Sequence, residues 1–342
     1  MSNTTVTVYG AYGHTGRFVV AHLRERGFTP VLSGRDAAKL HALADGTGLD
    51  VRPASVDDPA ALDAALVGAA AVINCAGPFA STTAPVIEAA LRAGIPYVDV
   101  AAELEANLDT FADFADRART AGATVLPAMA FYGGLGDLLA TAAMADWTEA
   151  DEAHVAYALS SWHPTAGTRL SSAVSRERRG SGGRLVYTKG AVERRHDAPA
   201  TTDWTFPDPT GTRAVVAEFT MADVITIPSH LRIPEVRTYM TVEAATQVVA
   251  PDTPAPAPVD PDGRSAQTFV VDVVVRKGTA ERRAVATGRD IYAVTAPLAV
   301  EAVARLLNGE ARTTGVASAG ELFDAPAFLR ALAPHITVDL AV

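Results

Sequence analysis

Three glycines, Gly10, Gly13 and Gly16, spaced G-x-x-G-x-x-G between a β-branched run and an amphipathic one, restrict this chain more than any other feature. Thr4–Tyr9 alternates β-branched residues and ends at Gly10, whereas Thr15–Arg26 carries Phe18, Val19 and Leu23 at helical spacing. Strand, tight turn and helix in that order bring backbone N–H groups to a helix N-terminus, where geometry and dipole both favour a pyrophosphate. A glycine triplet alone is a weak signal. Its place at the head of a βα series is what points to dinucleotide binding.

The series continues with Pro30–Ser33 and a helix from about Asp36, Val51 and a helix from Asp58, and Ala71–Asn74 and a helix over Thr83–Ala93. Tyr97–Val100 and Ala123–Leu126 then flank a helix over Glu105–Ala121. Six short strands alternating with helices predict a doubly wound parallel sheet. Beyond about residue 130 the texture changes to longer strands: Ala153–Ser160, Arg184–Glu193, Arg213–Phe219, Val236–Ala244, Thr268–Arg276 and Arg283–Thr287, with a helix near Thr168–Arg179. This pattern predicts a mostly antiparallel sheet with one face covered. Five prolines between Ala250 and Asp262 read as an exposed loop. Ala296–Leu307 and Pro326–Leu332 read as helices before a last strand, Ile336–Leu340.

At 342 residues the chain suits two domains of ordinary size, and 49% hydrophobic residues place it among globular proteins. A net charge of −10 argues against nucleic-acid binding. No stretch approaches a transmembrane span, so no membrane insertion is expected. Met1–Thr5 lacks a basic patch followed by an apolar run, so neither a signal nor a transit peptide is expected and the cytoplasm is the expected compartment. Cys75, the one cysteine, reads as a buried strand-end thiol rather than a nucleophile. The eight histidines are scattered, and no metal site is expected.

The end of the second strand chooses between cofactors. An NAD site places Asp or Glu there for the ribose diol, but this chain has Leu32, Ser33, Gly34, Arg35. Arg35 lies 19 residues after Gly16, where its guanidinium can pair with a 2′-phosphate, with the Ser33 hydroxyl and Lys39 beside it. NADP(H) is therefore the expected cofactor, held by Gly10, Tyr12, Gly13, His14, Thr15, Gly16 and Arg17 of the turn, by Ser33, Gly34, Arg35 and Lys39, and by the fourth strand's end. That end reads Asn74, Cys75, Ala76, Gly77, Pro78, Phe79, small enough for close approach of the cofactor. Past the fifth strand, Tyr97, Asp99 and Glu103 sit on the edge where the nicotinamide half belongs; Asp99 reads equally well as a cap of the helix beginning near Glu103.

The stretches GAYGHTGR (Gly10–Arg17), SGR (Ser33–Arg35), NCAGPF (Asn74–Phe79) and YVDVAAE (Tyr97–Glu103) resemble the saccharopine dehydrogenase-like family. Weaker likeness continues at Gly133–Leu139, Gly167–Thr168, Gly288–Tyr292 with Ala296, and Gly315–Phe323. The resemblance implies an α/β fold: an N-terminal Rossmann doubly wound parallel sheet (1–130), an inserted α/β domain on a mostly antiparallel sheet for substrate binding and dimerisation (131–290), and a C-terminal segment returning to the Rossmann domain (291–342). It also implies hydride transfer by a reductase, the family including saccharopine reductases, polyamine-forming imine reductases and trans-acting enoyl reductases. The aspartate-bearing turn usual before the inserted domain is replaced here by Phe131, Tyr132, Gly133, Gly134.

No Tyr is followed four residues later by Lys, so the Tyr/Lys pair of short-chain dehydrogenases is absent. The expected function is an NADPH-dependent reductase of a polarised C=N or C=C bond, less so C=O, in a small molecule. Asp99, Glu103, Tyr132 and His163 are the candidates for positioning or proton delivery. The alternative is a non-catalytic NADP(H) sensor. Arg169, Arg176, Arg178, Arg179, Arg184, Lys189, Arg194 and Arg195 form a locally basic stretch, either a solvated surface or an attractor for an anionic or carrier-bound substrate. A homodimer is expected through the second domain, whose long strands leave a face and edges to cover.

Overall fold

The computed structural model describes residues 4–180 and 183–341; of the N-terminal stretch read for targeting signals, Met1–Asn3 lie outside these. Strands β1 (Thr5–Tyr9), β2 (Thr29–Gly34), β3 (Asp50–Pro53), β4 (Ala71–Asn74), β5 (Tyr97–Asp99) and β6 (Thr124–Leu126) form a parallel sheet in the order β3-β2-β1-β4-β5-β6. Helices cover both faces, so Val6, Val8, Leu32, Ile73 and Val98 are fully buried. The order reverses at β1, which pairs with β2 on one side and β4 on the other. Sheets of this kind take ligands in the crevice at that reversal, outside the carboxyl ends of the strands.

The second sheet contains β7 (Glu152–Leu159), β8 (Arg184–Thr188), β9 (Ala191–Arg195), β10 (Thr201–Thr205), β11 (Thr212–Ala217), β12 (Glu235–Thr241), β13 (Thr268–Lys277) and β14 (Ala280–Arg289). Central β7 runs antiparallel to β13 but parallel to β12, which makes a mostly antiparallel sheet a mixed one. Helix Gly136–Met144 packs against β13 and β14 and covers one face. The C-terminal segment serves both sheets. Helix Thr295–Leu307 packs on helix His14–Glu25, and β15 (Gly315–Val316) extends the first sheet beside β6. The last strand, β16 (Ile336–Ala341), instead pairs with β14, whose open backbone edge it satisfies. A buried ion pair ties the second domain's loop to this segment: His230 Nε2 lies 2.7 Å from Asp137 Oδ1, and Asp137 Oδ2 accepts from Gly320 N at 2.6 Å.

Three local expectations are corrected. Arg184–Glu193 is not one strand but the hairpin β8–β9, bent at Lys189 and Gly190, whose φ of 52° and 77° suit a two-residue turn. Val236–Ala244 stops as a strand at Thr241 and continues as helix Val242–Val249, because β-branched alternation weighs less than the packing of that segment on β11 and β12. Strand β10 was not expected; its polar run Thr201–Thr205 is held by Trp204, whose Nε1 donates to buried Asp272 at 2.8 Å. Among the described residues, no helix is long and apolar enough to cross a membrane.

Candidate functional site

The turn after β1 is built by close packing. Gly10 has a φ of 86°, and a Cβ there would lie 2.7 Å from Ala76 N of the turn after β4. A Cβ on Gly16 would lie 2.2 Å from Gly10 O, so the first helix can approach its strand only with glycine there. Gly13 caps helix His14–Glu25 without a side-chain bond and no acidic residue follows in the first turn, which leaves the helix N-terminal N–H groups available to an anion. Arg17 does not face the crevice: its Nε donates to Tyr12 O at 3.1 Å and braces the turn.

Between the two sheets lies a cleft of about 1200 Å³. Its floor is the carboxyl edge of the first sheet, including Gly10, Tyr12, Gly13, His14, Thr15, Gly34, Arg35 and the run Cys75–Phe79. At the β2 end Arg35 is exposed and, among the described residues, has no hydrogen-bond or ion-pair partner. The companions expected for it are otherwise engaged. Ser33 is fully buried and donates to Arg52 O at 2.8 Å, while Lys39 is paired with Asp36 at 3.3 Å, its Nζ 5.6 Å from the centroid of the Tyr12 ring. Asn74 is buried below the β4 turn, where it donates to Tyr97 Oη and accepts from Ala76 N, shaping the loop rather than lining the cleft. Burial pushes the Cys75 thiol up, so it is inert at neutral pH.

The four candidates for acid or positioning work separate clearly. Asp99 is fully buried; it accepts from Tyr97 Oη at 2.9 Å, Ala101 N at 3.0 Å and Ala128 N at 2.8 Å. Burial pushes its carboxyl up to about 6 against those three bonds. It joins the loops after β5 and β6 and does not line the cleft. Glu103 lines the cleft, but both oxygens are committed, accepting from Phe79 N at 2.8 Å and Ala80 N at 3.2 Å. It thereby caps helix Phe79–Ala93, which begins four residues earlier than the expected Thr83. His163 does not line the cleft and contributes its carbonyl, which accepts from Tyr292 Oη at 3.2 Å.

Tyr132 differs from the other three. It is 6% exposed and lines the cleft, and its buried hydroxyl has no hydrogen-bond partner among the described residues. The π-turn Phe131–Leu135 carries it, with Gly133 at a φ of 97°. That turn is gripped from the second domain, where Thr226 Oγ1 donates to Gly133 O at 3.3 Å. Burial raises the Tyr132 phenol well above its ordinary value, with Tyr292 and Asp223 adding to the effect, so it stays a neutral donor. Rings of Phe131, Tyr157 and Trp162 surround it at 4.8, 5.0 and 5.2 Å.

Several site residues were not singled out from the sequence. Tyr292 stacks edge-on with His14 at 5.2 Å and bonds Thr168 Oγ1 at 3.0 Å, linking the first helix turn to helix Ala166–Arg179 across the cleft. Both belong to stretches of weaker family likeness, Gly288–Tyr292 and Gly167–Thr168, which was the available signal. Trp162, Phe219, Met221 and Val248 form an apolar wall on the second-sheet side, and nothing in the local sequence marks them as neighbours. The basic stretch is largely neutralised: Arg184 and Arg195 share Glu218, Arg178 pairs with Asp109 at 2.7 Å, and Arg179 with Glu105 at 3.0 Å. Among the described residues, no group of three or more His, Cys, Asp or Glu gathers as a metal site would require.

Comparison with known proteins agrees with this geometry over the first sheet. Residues 6–126 match the family model described as the saccharopine dehydrogenase NADP binding domain. A lipid droplet localized protein of Caenorhabditis elegans is 34% identical over 116 residues, covering 30% of this chain and 27% of that protein. A trans-acting enoyl reductase of Mycobacterium tuberculosis is 26% identical over 133 residues, 37% of this chain and 32% of that protein. The match thus spans less than a third of either relative's length. In structure, apo saccharopine dehydrogenase (L-Glu forming) of Saccharomyces cerevisiae superposes with a TM-score of 0.64 at 13% identity, over 99% of this chain and 100% of that one, which establishes a shared fold.

Proposed function

We propose, from the match of residues 6–126 to the saccharopine dehydrogenase NADP binding domain, that this chain is an NADPH-dependent reductase of a polarised double bond in a small molecule. The observation that carries the proposal is one continuous cleft lined from the glycine turn and Arg35 to Tyr132, whose buried hydroxyl has no hydrogen-bond partner among the described residues. The residues present fit the cofactor: Gly10 and Gly16 allow the tight turn, since a Cβ on either would meet Ala76 N or Gly10 O, the helix N-terminus is free of acid, and Arg35 has no hydrogen-bond or ion-pair partner among the described residues. Bound there, NADPH would supply the hydride.

The chain's own groups favour one bond class. The wall's nearby carboxylates are committed, Glu103 to two backbone N–H groups and Glu218 to two arginines, whereas Tyr132 offers a free donor. A protonated C=N nitrogen would call for a free carboxylate. A C=C bond conjugated to a carbonyl calls for a donor on oxygen, because the electron pair displaced by addition at the β-carbon moves onto that oxygen. Tyr132 would hold the enolate oxygen while the α-carbon takes its proton from solvent. The apolar wall of Trp162, Phe219, Met221 and Val248 suits an uncharged acyl or aromatic body, and a relative named as an enoyl reductase supports the same choice.

Reduction with NADPH deuterated at the nicotinamide C4 position should place deuterium on the β-carbon of an enone or enoyl thioester. Tight NADPH binding with no consumption across enones, enoyl thioesters and imines would remove the reductase reading and leave a sensor. Pairing of two copies through the second sheet belongs to the same proposal, since β10 and β16 end its strand path among the described residues. Light scattering that reports only the monomer mass at micromolar concentration would remove that part.

A further inference from the structure

Helix Ala166–Arg179 spans the cleft like a bar, and the residues it turns to the cavity include Thr168, Ser171, Ser172, Ser175, Arg176 and Arg179, a polar stripe at helical spacing. Its first turn meets Tyr292, which is 5.2 Å from His14 at the β1 turn. Its middle touches the β4 turn, where Ser171 Oγ would lie 2.8 Å from a Cβ on Gly77. Its last turn reaches the helix after β5, through the Arg179–Glu105 ion pair. The bar therefore runs from the phosphate turn toward β5, away from β2 and Arg35.

Cations in a last helical turn are favoured by the dipole alone, so three arginines there would need no further account. Their partners separate them. Arg178 and Arg179 are in ion pairs, and of the other cleft arginines on this side Arg169 donates to Ala250 O and Thr253 O while Arg184 and Arg195 hold Glu218. Arg176 is exposed to the cleft and, among the described residues, has neither a hydrogen bond nor an ion pair. Arg35 is the other such arginine in the cleft wall, and it stands at the β2 end. An unpaired guanidinium inside the cleft of a chain with net charge −10 is a specific feature of this wall.

We infer that Arg176 is the recognition point for an anionic group, a carboxylate or a phosphate monoester, on the end of the substrate remote from the reacting bond. The inference deepens the reductase reading and rests on it for the word substrate. On that reading the cofactor's own phosphates would be met elsewhere, the pyrophosphate at the Gly10–Gly16 turn and the 2′-phosphate at Arg35. Arg176 lies on the opposite side of β1 from Arg35, near the start of the helix after β5. Of the charged groups on this side of the cleft, Glu103 is bound to backbone N–H groups and Arg179, one turn along the same helix, is paired with Glu105. Ser172 and Ser175 on the same stripe offer hydroxyl donors to the same anion.

The test needs no turnover. Protein saturated with NADP⁺ is titrated by calorimetry with 4′-phosphopantetheine against pantetheine, and with glutarate against glutaramide. The expected result is that one anionic probe binds roughly tenfold more tightly than its neutral counterpart, that Arg176→Ala abolishes the preference, and that Arg176→Lys retains part of it. A preference for the first pair identifies a phosphate-ended ligand, and for the second a carboxylate-ended one. The inference is overturned if neither anion is preferred, if Arg176→Ala keeps the preference, or if that variant loses affinity for NADP⁺, which would assign the cation to the cofactor. Absence of reductase activity would leave these binding results readable.

Discussion

Replacing Arg35 by alanine is expected to weaken NADPH binding about 10- to 100-fold while leaving NADH binding unchanged. Arg35 follows the last residue of β2 and stands in the cleft wall with no hydrogen-bond or ion-pair partner among the described residues, so its removal strands no carboxylate. The loss is that of one charge-assisted contact to the 2′-phosphate, which NADH lacks. Lys39 cannot replace it fully, because its ammonium is already paired with Asp36 and stands over the Tyr12 ring. The contact is solvent-facing, so the preference for NADPH should shrink as salt rises toward 1 M, where screening shortens to about 3 Å. Fluorescence titration of both cofactors against parent and variant measures this. Equal affinities for NADPH and NADH in the parent would refute the assignment.

Replacing Tyr132 by phenylalanine is expected to lower kcat by about 10²-fold or more with little change in NADPH affinity. The substitution removes only the hydroxyl, and that hydroxyl has no partner within the protein, so the aromatic packing against Phe131, Tyr157 and Trp162 remains. Stability should therefore hold or rise slightly, because a buried unsatisfied group is lost. The pH dependence provides a second check. The folded-state phenol is raised well above 10 by burial, so Tyr132 stays protonated as pH rises through the ordinary tyrosine range. The parent should show no loss of donor function up to about pH 10, set by the ordinary tyrosine value. A basic limb near pH 7 that disappears in Tyr132→Phe would contradict the environment described for this residue, and an unchanged kcat would contradict its role.

The contrast between Tyr132 and Asp99 explains how much of the site was legible in advance. Asp99 was a candidate for its place at the carboxyl edge of the first sheet, Tyr132 for its place in the turn that stands where the resembled family carries an aspartate. Asp99 turned out to be consumed by Ala101 N, Tyr97 Oη and Ala128 N, the last from 29 residues away. Glu103 was consumed by the backbone of helix Phe79–Ala93, and Ser33 by Arg52 O. Whether a polar group is spent on the protein or left for a ligand depends on partners that local sequence does not name. The basic stretch from Arg169 to Arg195 makes the same point, since acidic residues from other elements hold Arg178, Arg179, Arg184 and Arg195 in ion pairs, whereas Arg176 in the cleft has none among the described residues.

From the sequence alone came the features that depend on neighbours a few residues apart. The G-x-x-G-x-x-G turn needs only a strand before it and a helix after it. The alternation of short apolar strands with helices predicts a parallel doubly wound sheet, and a basic residue in place of an acidic one after β2 points to NADP(H). Only the tertiary structure decided the rest. Val236–Ala244 alternates like a strand throughout, yet its last residues pack as a helix. Ile336–Ala341 closes the second sheet because an open edge of β14 waits there, more than forty residues back along the chain. The cleft wall joins Tyr132 to Trp162, and His14 to Tyr292 and Thr168, residues brought together by the fold and not by spacing. Short-range periodicity reports which face of an element is apolar; it carries no record of which distant element will cover that face.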